Sequence, residues 1–320
     1  MPMKVPISLI IDDGAPVNAM YAHQPDFEHT LLVPNAFTRA FADLCAQHGV
    51  RGKFSVLPMP ICLGRIDGKL SRVSKPHLRG FLDIARSKIA PRFDITPEIL
   101  THLRAFDQRT GRFLHVHEDE WVARATVEQM TDYIALALRI LKGVGLPANG
   151  VTSPWATGRH NEKQYAQAIG NAQWRVHRRK VTWYFLHMLV GGPPRWPSVT
   201  WQNRRTSQRV VSVVGTTGDA FWETQFKSST RAARAAAESG IELLLPRRGS
   251  SGRIRQVFEQ RCPIVLVTHW QSLFSNGRHA GLLGLEKLLG RIENILGDQV
   301  SWITCSDLAR MSLTNARGGR

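Results

Sequence analysis

Asp12 and Asp13 stand side by side at the end of an apolar run, Val5 to Ile11, and Gly14 follows at once. A turn signal is the plainer reading of Asp-Asp-Gly. Yet a buried strand gains nothing structural from two adjacent carboxylates, because unpaired buried charge is costly. Neighbouring side chains also diverge, so one carboxylate can bind a metal while the other accepts a proton. A second apolar run, Ile264 to Thr268, ends in His269. Of the 12 histidines, His102, His115 and His117 fall close together, and the His-x-His pair is followed by Glu118, Asp119, Glu120 and Trp121. Asp13, His102 and one of His115 or His117 make an Asp/His/His set. Such a set leaves coordination positions open for water and substrate, as hydrolytic zinc or iron sites require.

Chemistry of this kind needs strand ends to carry it. Val5 to Ile11 has the continuous hydrophobicity of a parallel strand buried on both faces. Pro34 to His48 is expected to be a helix, with Phe37, Phe41 and Leu44 on one face and Gly49 beyond its end. Further strands are expected at Lys53 to Leu57, Asn149 to Trp155, Val181 to Leu189, Val210 to Val214, Ile264 to His269 and Val300 to Thr304. Helices are expected around His77 to Ser87, after the N-cap Thr126, and over Glu162 to Trp174, Ile254 to Glu259 and Leu282 to Leu296. Alternating strands and helices predict a parallel α/β fold, whose ligands gather at the carboxyl ends of the strands. Trp155 and Trp270 follow strand ends directly and suit stacking on a ring-shaped substrate. Pro154 and Asn276 join them as candidate substrate contacts, Asn276 within the polar loop that also holds Gln271 and Ser272. The remaining tryptophans are expected to pack in the core.

The composition sets limits on partners. Among 320 residues, 42 Lys+Arg face 25 Asp+Glu, a net charge of +17, with 43% hydrophobic residues. The basic residues thicken at Arg175 to Lys180, Arg204–Arg205 and Arg247 to Arg255, but the chain has no RNA- or DNA-binding motif and no basic strand interleaved with aromatics. The charge is therefore expected to be a solvated, Arg-rich surface. Cys45, Cys62, Cys262 and Cys305 are widely spaced, without a metal-ribbon pattern, and Cys45, Cys262 and Cys305 are expected to be buried thiols. No run has the length of a signal core or membrane span, so a cytoplasmic location is expected. No linker divides the chain. A single domain over 1–313 is expected, with loose ends at Met1 to Lys4 and over 314–320.

Taken in order, these segments resemble the polysaccharide deacetylases, the NodB-homology family. Ser8-Leu9-Ile10-Ile11-Asp12-Asp13-Gly14 is similar to the family's first motif, T-F-D-D-G. Pro97-Glu98-Ile99-Leu100-Thr101-His102 resembles the approach to its second, and Thr152-Ser153-Pro154-Trp155 its third. Ile264 to His269 resembles its last, an apolar strand ending in Leu-x-His, and Thr304 to Leu308 its closing T-x-S-E-L. The resemblance implies a distorted (β/α)7 barrel that removes an acyl group from an amide or ester of a sugar-like substrate. By position it implies Asp12 as general base, His269 as general acid, and Asp13 with His102 as ligands of a divalent metal: zinc first, with iron, cobalt or manganese as alternatives. The family's second histidine follows its first at a short interval, whereas Phe106 stands four after His102. The missing ligand is therefore expected from an insertion over 107–121, as His117 or His115. Thr152 stands where the family has the arginine that positions the base. A non-catalytic binding or regulatory protein on the same barrel is the alternative that these departures imply.

Overall fold

The computed structural model of the chain describes residues 4–24 and 26–318, the side chains of 315–318 excepted. Val5–Asp12 forms strand β1, buried along its whole length as a strand covered on both faces must be. In chain order there follow β2 (Gly52–Val56), β3 (Phe93–Pro97), β4 (Arg104–Asp107), β5 (Arg112–His117), β6 (Val151–Thr152), β7 (Val181–Met188), β8 (Ser198–Asn203), β9 (Gln208–Gly215), β10 (Ile264–His269) and β11 (Val300–Trp302). The helices are α1 (Met20–His23), α2 (Asn35–Gln47), α3 (Lys75–Ile84), α4 (Glu118–Arg124), α5 (Val127–Gly143), α6 (Glu162–His177), α7 (Thr230–Leu244), α8 (Arg253–Glu259), α9 (Trp270–Phe274), α10 (Ala280–Leu296) and α11 (Cys305–Gly318).

The architecture is parallel α/β. One sheet runs β10-β1-β2-β3, with β11 also on β1; a second runs β6-β7-β9-β8, where only β8 is antiparallel to its neighbour. The two sheets meet at both margins. Beyond β3, Glu98 bridges Thr152 in parallel and Ile99 N–H donates to Thr152 O at 3.1 Å. Beyond β9, Thr216 N–H donates to Val265 O at 3.0 Å, and Val267 N–H donates to Thr217 Oγ1 at 3.2 Å. Between the sheets lies a small core of Ile10, Trp183, Phe185, Val211, Val213, Val265 and Val267, closed by Cys305, Leu308 and Ala309 of α11. A larger core packs the outer faces of the strands against the helices.

The local signals act as expected at several places. Thr126 forms a capping box with Gln129 at the start of α5, and α10 stops at Gly297 in a positive-φ conformation. Other segments differ from, or add to, what the sequence suggested. The strand tip over 149–155 shrinks to Val151–Thr152, and the insertion over 107–121 folds into the β4–β5 hairpin and the start of α4. The tail expected to be loose is helical to Gly318, while Met1 to Met3 and the last two residues lie outside the described ones. Cys262 is only half-buried. No described helix is long and apolar enough to cross a membrane.

The first strand pair sets the position of the site, and Gly52 sets the pair. It lies opposite Leu9, and a Cβ there would collide with the Leu9 backbone. Gly52→Ala is expected to lower stability by about 1–3 kcal/mol through overpacking, read from urea unfolding. An unchanged midpoint would contradict so close an approach of β1 and β2.

Candidate active site

The carboxyl ends of β1, β3, β6, β7 and β10 open onto one cavity of about 740 Å³. Asp13, His102 and Trp155, all on its wall, have left-handed backbone at φ 63°, 56° and 49°. Strain of this kind in non-glycine residues persists only where the surroundings enforce it, and it gathers at functional sites.

Asp13 follows β1 and Glu98 follows β3, so parallel pairing through β2 brings their carboxylates together. Glu98 Oε2 accepts the Asp13 backbone N–H at 2.6 Å and the Ser55 hydroxyl at 2.6 Å. His102 Nε2 lies 2.9 Å from Asp13 Oδ1 and 3.7 Å from Glu98 Oε1. Ligand-capable atoms of Asp13, Glu98 and His102 all lie within 4.8 Å of one another. Gln271 donates its amide N–H to Asp13 Oδ2. Asp13 Oδ1 is buried and faces the His102 ring at 2.9 Å, with no further hydrogen-bond partner among the described residues. A buried carboxylate oxygen with an imidazole as its one close polar neighbour, beside a second carboxylate, is a donor set suited to a divalent cation. The residues present fit such an ion.

Electrostatics point the same way. Burial, reinforced by the Asp13 and Asp12 charges, pushes the Glu98 carboxyl up to about 8. Burial would also raise Asp13, but His102 outweighs it and holds Asp13 far below the carboxylate range. Burial would lower His102; the charges of Asp13, Glu98 and Glu118 overcome it and hold the ring at about 10. Without a cation the cluster thus compensates by keeping a proton on Glu98. Behind it, His102 Nδ1 meets His23 Nε2 at 2.8 Å. Burial, then the His102 charge, keep His23 down at about 3, so it is the acceptor. The turn is shaped by buried Glu118, which accepts the backbone N–H groups of Thr101 at 2.9 Å and His102 at 3.0 Å and the Tyr133 hydroxyl at 2.7 Å.

Asp12 and His269 flank this cluster, opposite one another in the β1–β10 register. Lys53, fully buried on β2, donates to Asp12 Oδ1 and, at 3.3 Å, to Ile11 O. His269 Nδ1 bonds Asp219 Oδ2 at 2.8 Å, which leaves Nε2 for the cavity that the ring lines. Asp219 is itself held by Thr268 Oγ1 at 3.0 Å and Ser272 Oγ at 2.7 Å. Burial would lower His269, but the Asp219 hydrogen bond and charge, with Asp13 and Asp12 beyond, hold it up at about 9.

Several expected roles change. Glu98, four residues before His102, takes the third position that the sequence assigned to His117 or His115. His117 does line the cavity, but its ring stacks on Trp155 at 3.9 Å and its Nδ1 bonds Asp119 at 2.7 Å. His115 is exposed on β5, away from the cavity. Trp270 is not a rim residue. It is buried against Phe37, Phe41 and Phe54, and its indole N–H donates to Ala15 O at 3.1 Å. Asn276 is taken up in pinning the neighbouring loop, bonding Thr30 N–H at 2.9 Å and Glu28 O at 2.8 Å. Pro154 and Trp155 stand on the cavity wall. The Thr152 hydroxyl bonds that of Thr96 at 2.8 Å. Lys53, Glu98 and Asp219 had no role assigned from sequence. The usable signals were a lysine inside an apolar strand, a carboxylate one turn before a histidine, and an aspartate just past the Val210 to Gly215 strand.

No protein-family model matches the sequence, and no curated protein matches it. Among solved structures, a mutant of BA3943, described as a CE4 family pseudoenzyme with restored enzymatic activity, matches at TM-score 0.43 and 9% identity, over 97% of this chain and 69% of that one. Wild-type BA3943 from Bacillus anthracis, a CE4 family pseudoenzyme, matches at 0.42 and 9% over 97% and 66%. A 4-alpha-glucanotransferase from Thermococcus litoralis matches at 0.45 and 11% over 95% and 38%. Likeness at this level carries no functional information.

Two outcomes follow from the geometry. Asp13→Ala, Glu98→Ala and His102→Ala are each expected to lose stoichiometric divalent metal in elemental analysis after dialysis against it, while His115→Ala keeps it; retention by Glu98→Ala would reject the ligand set. In the metal-free protein the His269 ring is expected to titrate by NMR near pH 9, and Asp219→Asn should return it toward or below the ordinary 6.5. A titration unmoved by that change would show that Asp219 does not hold the proton.

Proposed function

We propose that the chain is a metal-dependent hydrolase that removes an acyl group from an amide or ester, on a distorted (β/α)7 barrel of the polysaccharide deacetylase type. The barrel reading rests on the succession β1, β2, β3, β6, β7, β9, β10, parallel strands whose two interruptions are spanned by the Glu98–Thr152 bridge and the Thr216–Val265 hydrogen bond. The observation that carries the function is the buried Asp13–Glu98–His102 cluster, set between a lysine-bound aspartate and an aspartate-bound histidine.

Asp13, Glu98 and His102 would hold a divalent cation, which when bound makes a water more acidic and polarises an acyl oxygen. Two carboxylates with one imidazole make a more oxygen-rich set than Asp/His/His, which moves the preferred ion from zinc toward manganese. Gln271 fixes Asp13 through Oδ2 and so aims Oδ1 into the site. Asp12, oriented by Lys53, takes the proton of the attacking water. Lys53 thereby does the work that the resemblance gave to an arginine at position 152. His269 enters charged, because Asp219 holds its Nδ1 proton, and gives its Nε2 proton to the leaving nitrogen or oxygen. Trp155, 42% exposed on the cavity wall, offers ring surface to a sugar-like substrate.

Asp12→Asn keeps the side chain's shape and removes the base. Metal binding should persist while turnover of N- or O-acetylated sugars and simple amides falls roughly 10²–10⁴-fold. A variant rate equal to that of the wild type would overturn the assignment of Asp12. No turnover of any acyl substrate by metal-filled wild-type protein would favour the non-catalytic binding role.

A further inference from the structure

A second hollow adjoins the reaction cavity. It is an open groove of about 770 Å³ along one face of α7, lined by Ala232, Ala235, Ala236, Ser239 and Leu243. Short side chains keep it open; larger residues at these positions would fill it. The two hollows share Val190, Gly218 and Asp219. At this junction Gly218 carries no side chain, and a Cβ there would press on Val190 at 3.3 Å. The opposite wall is built rather than loose. Arg253 donates to Thr216 O at 2.8 Å and Gly192 O at 2.7 Å and so fixes the segment that carries Val190.

Four of the eight large exposed apolar side chains among the described residues lie along these two hollows. Trp155, Met188 and Val190 line the reaction cavity, Val190 and Leu243 line the groove, and Leu243 is 76% exposed. Glu223, Lys227 and Arg253 also line the groove, but its surface is mainly apolar, and an apolar groove open to solvent marks a binding surface for apolar matter. Its position says which part of a substrate would use it. The groove opens at Asp219, the residue that holds the general acid His269, and the acid serves the leaving group.

We infer that the groove along α7 holds an aliphatic chain borne by the leaving amine or alcohol, so that the substrates are acylated amphiphiles rather than free sugars. This rests on the hydrolase reading for its direction, but the groove can be tested without turnover. The first probe is a series of n-alkyl glucosides from butyl to decyl, titrated calorimetrically below their micelle concentrations against the metal-free protein. Affinity should rise about three- to fourfold per methylene, the increment of a buried CH₂. Leu243→Glu and Ser239→Glu, both at exposed positions, should flatten that rise, and Leu283→Glu on α10 should leave it intact. The second probe is the O-acetylated form of the same series with metal-loaded protein, where kcat/KM should climb with chain length in the same way. Binding that rises with chain length while nothing is hydrolysed leaves the groove standing and removes the hydrolase. Hydrolysis or binding indifferent to chain length overturns the groove. So does a dimer that Leu243→Glu converts to monomer in sedimentation, since a second copy would then cover this face.

Discussion

Three carboxylates, those of Asp12, Asp13 and Glu98, are buried within one small volume at the ends of β1 and β3. Two like charges about 4 Å apart repel by about 4 kcal/mol at the effective dielectric of such sites. The surrounding structure is arranged around that repulsion. Lys53 compensates Asp12 from β2, and His102 compensates Asp13 from the turn after β3. Glu98 shares His102 with Asp13, at 3.7 Å, and burial with the Asp13 and Asp12 charges keeps a proton on it to about pH 8. A purely structural core would have no reason to hold this arrangement, because apolar residues of similar size fill such a space without the desolvation penalty. A divalent cation held by Asp13, Glu98 and His102 would remove the imbalance.

Much of the rest of the fold serves to hold those groups in place. Parallel register sets Asp12 opposite His269 on one side, while β2 delivers Lys53 from the other. Buried Glu118, at the start of α4, accepts consecutive backbone N–H groups and so stabilises the turn that forces His102 into the left-handed region. The hairpin of β4 and β5, rather than supplying a ligand, brings His117 over to pack on Trp155 and close one wall of the cavity. Below the site, α11 seals the inner core, with Ser306 accepting the Trp183 indole N–H at 3.0 Å.

The parts legible in the sequence were those in which one segment carries both the hydrophobic pattern and the functional group. Asp12 and Asp13 end one apolar run and His269 ends another, and both runs are strands whose ends face the cavity. The groups that were missed depend on contacts between distant segments. Glu98 stood in the string that was compared with the second motif, but its role needs β3 to lie beside β2 so that it can reach Asp13. Lys53 opened an expected strand without a role, because its pairing with Asp12 depends on that strand being buried beside β1. Asp219 follows β9 in a loop, with no periodic signal to mark it. Trp270 misled for the converse reason: its place after a strand end suggested exposure, but α9 turns its ring inward onto Phe37 and Phe54. The α7 helix went unread in the sequence, and its Ala-rich outer face forms the groove.

The central claim is that Asp13, Glu98 and His102 together hold one metal ion. The most direct measurement is anomalous diffraction at the absorption edge of manganese from crystals grown with that ion. The account predicts a single strong peak in the cavity, bonded to Asp13 Oδ1, to a Glu98 oxygen and to His102 Nε2, with Asp12 and His269 nearby but not coordinating. A peak ligated by His117 or His115 in place of Glu98, or a cavity without any peak at saturating metal, would contradict it.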